Sequence, residues 1–184
     1  MEEHVSISNV KISVKISKIN LNLIKQICED KNIKSSMYNN FIVVRSSNNF
    51  TFVIFKQKVF KNCDNGIIRQ HVNITVNSVK KIDESIDFLK SKLNCIVNSE
   101  YKIDNITATA SLYKKINPKK FLEVTSHISE RIKFNPELFP SIFISHKNRK
   151  ILLFRSGKLN ILGGKSVEEV HISYLWISKV CADI

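Results

Sequence analysis

The sequence predicts an α+β fold built from two copies of one unit, each running strand, helix, several antiparallel strands, helix. Three observations lead there. First, landmarks recur in one order: SNVKISVKISKIN (8–20) is matched by DNITATASLYKKIN (104–117), placing Asn9 and Asn105 96 residues apart. NNFIVVRSSNNFTFVIF (39–55) is matched by ELFPSIFISHKNRKILLF (137–154), placing Phe41 and Phe139 98 apart and Phe55 and Phe154 99 apart. A fixed internal period is the mark of a duplicated unit. Second, the matched stretches alternate apolar and polar residues with period two, as half-buried strands do. Third, each copy carries two stretches with helical patterning, so helices are expected to cover one face of the strands.

In chain order, the first copy opens with the strand in 8–20 and continues with a helix, LNLIKQICED (21–30). Strands follow around the polar turn SSNN (46–49), and the extra residues at KNCDNG (61–66) suggest a longer hairpin turn. DESIDFLKSKL (83–93) closes the copy as a helix. In the second copy, Asn117 and Pro118 suit the N-cap and first position of a helix over 117–132. HKNR (146–149) is the hairpin turn. Ser166 and Glu169 form a capping box for a last helix over 166–181. Val170, Tyr174, Ile177 and Cys181 recur at helical spacing, and core packing is the expected use of that stripe. The expected repeats are 1–97 and 98–184. If their edge strands meet, the two form one continuous sheet with helices on one face and the other face bare.

The chain carries 29 basic and 16 acidic residues, a net charge of +13. The charge is spread as +3 over 1–50, +3 over 51–100 and +7 over 101–184, so it belongs to the fold and not to a tail. A polyanion partner is implied, nucleic acid before an anionic membrane. Apolar runs such as FVIF and ILLF are too short to span a bilayer, so no membrane partner is expected. Cys28, Cys63, Cys95 and Cys181 form no CxxC pair and no zinc-like spacing. With no leader-like start, an intracellular protein with reduced thiols is expected. Phosphate-loop, dinucleotide, nucleophile-elbow and zinc-protease motifs are absent, and the five histidines are scattered. Neither enzyme chemistry nor a metal or cofactor is expected.

One stretch raises its own question. FNPELFPSI (134–142) puts Leu138 and Phe139 on a Pro-flanked turn, where large apolar residues are a liability unless something receives them. Together with ILLFRSGKLNILGGK (151–165), it resembles the second repeat of the TATA-box-binding protein family. The family shows an E-L-F-P turn, a strand ending I-F, S-G-K, and a strand running into G-[AG]-K and the last helix. The resemblance spans roughly 5–180 and is weaker in the first copy. It implies a saddle: one curved antiparallel sheet, helices on the convex side, and a concave face that binds and bends A·T-rich promoter DNA through the minor groove. By this resemblance Phe41 with Phe55, and Phe139 with Phe154, would wedge between base steps. Asn9 and Asn105 would contact central base pairs, with Lys11, Thr107, Asn160 and Leu162 beside them. Amide donors suit the acceptors that A·T pairs present in the minor groove. Arg45, Arg155, Lys158 and Lys165 are candidate phosphate contacts.

The resemblance further implies a TFIIB-like partner at Glu137 and Leu138, and RNA polymerase machinery beyond it. SSMYNN (35–40) lacks the family's Asn-Pro-basic pattern, which argues against a TFIIA-like partner. Lys11 stands where the family carries a small or β-branched residue, Asn160 and Leu162 replace an apolar residue and a threonine, and the first copy lacks S-G-K. Sequence preference is therefore expected to differ from the usual TATA box. Such divergence fits a viral or parasite homologue or an AT-rich genome, and places the protein in a nucleus or a cytoplasmic viral factory. Two competing readings remain: a subunit of a heteromeric transcription complex without DNA binding of its own, and, with less support, an enzyme carrying an accessory saddle.

Overall fold

A computed structural model of the chain describes residues 5–56, 58–59, 68–127 and 131–182. The chain divides into two compact units, Asn9–Asp104 and the residues up to Ser8 with those from Asn105 onward. The first unit holds strand β1 (Val5–Ile16, shared with the other unit at its start), helix α1 (Leu21–Asp30), β2 (Lys34–Met37), β3 (Phe41–Arg45) and β4 (Thr51–Phe55). Then come β5 (Lys58–Val59), β6 (Ile68–Val76), a 3₁₀ turn (Val79–Lys81) and α2 (Ile82–Ser91). The second unit holds β7 (Lys102–Ser111, mostly), α3 (Pro118–Val124), β8 (Arg131–Lys133), β9 (Ser141–His146), β10 (Arg149–Phe154), β11 (Lys158–Gly164) and α4 (Val167–Val180).

The strand orders match. In one unit it is β2-β3-β4-β6-β1, in the other β8-β9-β10-β11-β7, all antiparallel, with β5 an added strand on β6. In each, the opening strand pairs with the strand that precedes the last helix. The landmarks that suggested a duplication thus carry a duplicated topology.

Alternation decides which face each helix covers. On β1, Val10, Ile12, Val14 and Ile16 are buried, while Asn9, Lys11 and Lys15 are exposed. The buried set joins Ile42, Val44, Phe52, Ile54, Val72 and Ile74 in the core with Ile24 and Ile27 of α1 and Leu89 of α2. Phe52 stacks on Phe88 at 5.3 Å. In the other unit Ile106, Ala108, Ile142, Ile144, Ile151, Leu153 and Ile161 are buried with Phe121 of α3 and Val170 and Ile177 of α4. Ile177 and Cys181 are fully buried and Tyr174 is half-buried, so the stripe read from the sequence packs as core. Burial pushes the Cys95 thiol up to about 12 and that of Cys181 to about 11, so both stay protonated at neutral pH.

Caps explain the helix starts. The Asn20, Asn117 and Ser166 side chains accept from the first-turn N–H groups of α1, α3 and α4. Glu169 completes the last cap by accepting from Lys165 N. That N–H, with Arg149 beside the carboxylate, holds Glu169 below the usual carboxylate range. Arg149 and His146 are buried at the β9–β10 turn, where both meet the Ser173 hydroxyl and His146 stacks on Trp176 at 4.4 Å.

The helix expected over 117–132 is shorter. It ends at Val124, because Thr125 and Ser126 turn their hydroxyls back onto the carbonyls of Phe121 and Glu123. Beyond it, Arg131–Lys133 is drawn into the edge strand β8, with Ile132 opposite Ile144. The long turn expected at 61–66 lies outside the described residues.

Candidate nucleic-acid interface

The side of each sheet away from its helices is built from the alternate residues, set in cross-strand rows. In the unit Asn9–Asp104 one row is Lys11, Thr75, Thr51 and Arg45. The next is Ser13, Asn73, Val53 and Val43, and a third begins with Lys15 opposite His71. In the other unit one row is Thr109, Asn160, Leu152, Phe143 and Lys133, another begins with Leu162, Lys150 and Ser145, and Lys158 stands opposite Ser111. None of these positions carries a carboxylate. Each open face is therefore a mainly cationic surface of hydroxyls, amides and aliphatic groups, with Asp104 of the first unit accepting from the Ser13 hydroxyl at 3.3 Å.

The expected aromatic pairs are present. Phe41 and Phe55 face each other in register with ring centroids 6.1 Å apart. Phe139 and Phe154 lie 6.2 Å apart. The two pairs are built differently. Phe154 is in register with Ser141, so Phe41 stands in the place of Ser141 and not of Phe139. Phe139 reaches Phe154 from a turn in which Leu138 N and Phe139 N donate to Asn135 O, while Glu137 N donates to the Asn135 side chain. That turn leaves Leu138 82% and Phe139 41% exposed. In the first unit a tighter turn, closed by Tyr38 N donating to Phe41 O, lays the exposed Tyr38 ring on Phe41 at 4.6 Å. His71 stacks on the far side of Phe55 at 4.8 Å. The first edge is thus a ladder of four rings, and the second a cluster of three, since Phe143 packs on Phe139 at 5.4 Å.

The amides also differ. Asn105 is held on both ends: Gly163 N donates to its Oδ1 at 2.9 Å, and its Nδ2 donates to Thr107 Oγ1 at 3.2 Å. The Gly163 donor exists because β11 bulges between Ile161 and Gly164. The remaining Nδ2 hydrogen is left as a donor. Asn9 has neither support: β6 runs past β1 without a bulge, and Lys11, which cannot accept, replaces Thr107.

The cations fall in two groups. Lys11, Arg45 and Lys158 lie on the open faces and Arg155 in the exposed turn after Phe154, whereas Lys165 sits at the α4 cap.

Sequence reading missed Tyr38, His71, Asn73, Thr75 and Phe143. The signal was available in the alternation of RQHVNITV, which puts Gln70 inward and His71, Asn73 and Thr75 outward. Register also shows what replaces S-G-K in the first copy: Arg69, Gln70 and His71 occupy the places of Ser156, Gly157 and Lys158. Buried Gln70 accepts from Ile19 N and donates to Ile19 O and Phe55 O, tying the end of β4 to the loop before α1. Gln70→Ala should lower stability by about 1–3 kcal/mol, because those groups lose their partner in a buried place. Thermal unfolding checks it.

Comparisons with known proteins agree with this geometry. The family model described as "Transcription factor TFIID (or TATA-binding protein, TBP)" matches residues 100–180. The TATA-box-binding protein of Thermococcus celer is 37% identical over 76 residues, which span 40% of this chain and 38% of that protein. The relative from Methanococcus maripaludis is 25% identical over 187 residues, covering 100% of this chain and 97% of its own length. The solved structure of the Methanococcus jannaschii protein matches with a TM-score of 0.75 at 25% identity, covering 98% of this chain and 99% of the other. The fold is therefore the one the sequence pointed to, and the likeness is archaeal, which displaces the viral origin. The chain is thus similar over its whole length to TATA-box-binding proteins, and the family model matches it over residues 100–180.

Proposed function

We propose that this chain is a transcription initiation factor that binds A·T-rich promoter DNA in the minor groove and bends it. The observation that supports this most is the pairing of a cationic open face with an exposed aromatic edge in each unit. A groove floor flanked by phosphates needs the first, and an opened base step needs the second. Phe139 with Phe154, and Phe41 with Phe55, are the wedges. Asn105 donates to an A·T acceptor with its free hydrogen, and Asn9 does the same less rigidly. Thr107, Lys11, Asn160 and Leu162 complete the groove contacts. Unstacking costs a few kcal/mol per step, a magnitude known for minor-groove proteins of this family and not obtained from this chain. Wrapped surface and released counterions offset it.

Arg45, Arg155, Lys158 and Lys165 serve phosphates in this reading. Arg155→Ala and Lys158→Ala should each reduce the slope of log affinity against log salt by about 0.9, and weaken all sequences alike. Binding measured over a salt series tests it; a slope that neither change alters would remove both residues from the footprint.

The turn at Glu137 and Leu138 is the proposed surface for a TFIIB-like factor, through which RNA polymerase is recruited. Its apolar tip is exposed although the aromatic edge does not need Leu138. Glu137→Arg should leave DNA binding in place and abolish the ternary complex, since it adds repulsion where an attraction was. A ternary complex that survives in a gel shift would move the partner elsewhere. The unsupported amide of Asn9 favours one second reading, in which the chain grips DNA only as part of a heteromeric complex.

A further inference from the structure

We infer that Asn73 and Asn160 are a matched pair of guanine-reading amides, so that the preferred DNA site carries a G·C pair at one position under each unit. The inference rests on the minor-groove reading above and specifies its sequence preference. Four observations carry it.

The first is register. Asn73 lies between Ser13 on β1 and Val53 on β4. Asn160 lies between Thr109 on β7 and Leu152 on β10. Both amides therefore have a hydroxyl on one side and an aliphatic side chain on the other, at the same place in each unit. The two copies have diverged at most open-face positions, yet they agree here.

The second is cost. Asparagine is disfavoured in strand interiors, and an aliphatic residue would extend the apolar row of Val53 and Val43 or of Leu152 and Phe143. Both asparagines are half-buried. Among the described residues, no hydrogen bond satisfies either side chain, in contrast to Asn105. Their polar atoms reach the open side and stay available to a ligand, since the Ser141 hydroxyl is the one buried side-chain polar atom without a partner among the described residues.

The third is the chemistry of the groove. In the minor groove an A·T pair shows acceptors alone, whereas G·C adds one donor, the guanine 2-amino group. A residue that only donates, or is apolar, leaves that amino group unpaired or in collision. A carboxamide oxygen accepts from it. Asn105 cannot do this, since its oxygen is taken by Gly163 N. The oxygens of Asn73 and Asn160 are not so engaged, and the adjoining Ser13 and Thr109 hydroxyls add a second acceptor.

The fourth is contrast with the rest of the face. Thr107, Leu162 and Val53 offer no acceptor amide, and Asn9, though its oxygen is unheld, has a counterpart in Asn105 whose oxygen is taken, so guanine is accommodated at one matched position under each unit and not throughout.

The test uses the full chain and an A·T-rich parent duplex in which one pair at a time is changed to G·C, or to inosine·cytosine, which lacks the 2-amino group. Wild type should bind two of the G·C duplexes about tenfold more tightly than their inosine counterparts, within the discrimination usual for a good base contact. Asn73→Val should erase the difference at one of those positions and Asn160→Val at the other. Valine suits a strand, and thermal unfolding of each variant verifies that it is folded. If guanine weakens binding at every position, or if the valine variants keep the wild-type profile, the inference is overturned while the minor-groove reading stands. If the parent duplex is not bound at all, both fall together.

Discussion

Replacing Phe139 and Phe154 together by alanine should leave a folded protein that no longer kinks DNA at that end. Phe139 is 41% exposed and Phe154 is half-buried, on the open side of β10 away from α3 and α4. A core phenylalanine such as Phe121, which is fully buried, costs about 3–5 kcal/mol when cut to alanine. The exposed pair should cost well under half of that for each ring. Stacking a ring on a base contributes about 1–3 kcal/mol. Affinity should therefore fall tenfold or more while the melting temperature moves by only a few degrees. The end-to-end distance of a dye-labelled A·T-rich duplex, read by energy transfer, should lengthen toward that of free DNA. A collapsed melting temperature would make these residues core. An unchanged distance would mean that the bend has another source. The first edge should be more tolerant: with Phe41 cut to alanine, His71 still stacks on Phe55 and the Tyr38 ring remains on the adjoining turn.

The largest effect on stability is expected from Gly157→Ala. Gly157 has φ +81°, in the left-handed region, and an added Cβ would lie 2.0 Å from Lys114 O. That oxygen is backbone and cannot swing away. Its neighbours are committed as well: Leu112 N donates to Gly157 O, and Gly157 N donates to Phe154 O. The left-handed conformation costs a non-glycine residue about 1–2 kcal/mol, and forcing atoms into a packed place adds about 1–3 kcal/mol. For a chain of this length each kcal/mol lowers Tm by about 2–4 °C, so a fall of roughly 10 °C is expected. The same turn holds Phe154 and Lys158, so DNA binding should weaken along with stability. A variant that melts with wild type would show that the turn relaxes freely. The first unit avoids the problem by putting Gln70 in this place, with a side chain that bonds where glycine makes room.

Much of this was legible in the sequence where one residue type answers one physical demand. Asn117 before Pro118 and Ser166 before Glu169 announce helix starts because few side chains satisfy first-turn N–H groups. The open-face positions of β1 and β7 follow from alternation. The edge strands β2 and β8 were missed because KSSM and RIK are too short to show a period, and their pairing is set by β3 and β9. The place of Phe41 was misjudged by two residues because spacing counts chain length, whereas register counts hydrogen bonds. The turn before β9 holds Phe139 two residues ahead of the strand, and the tighter turn before β3 puts Phe41 on it. Asn73 and His71 were hidden by the interruption after Phe55, which obscured where β6 begins. The support of Asn105 was also invisible, because it depends on a bulge that brings Gly163 N to a residue 58 positions away.

The central claim is that the open faces meet the minor groove. The most direct measurement compares an A·T-rich duplex with the same duplex carrying inosine·cytosine in place of every A·T pair. That exchange keeps acceptors alone in the minor groove and rewrites the major groove. Binding is followed at several salt concentrations. Equal affinity for the two duplexes, falling steeply with salt for both, is the predicted result. Affinity lost with inosine·cytosine, or binding indifferent to salt, would contradict the account.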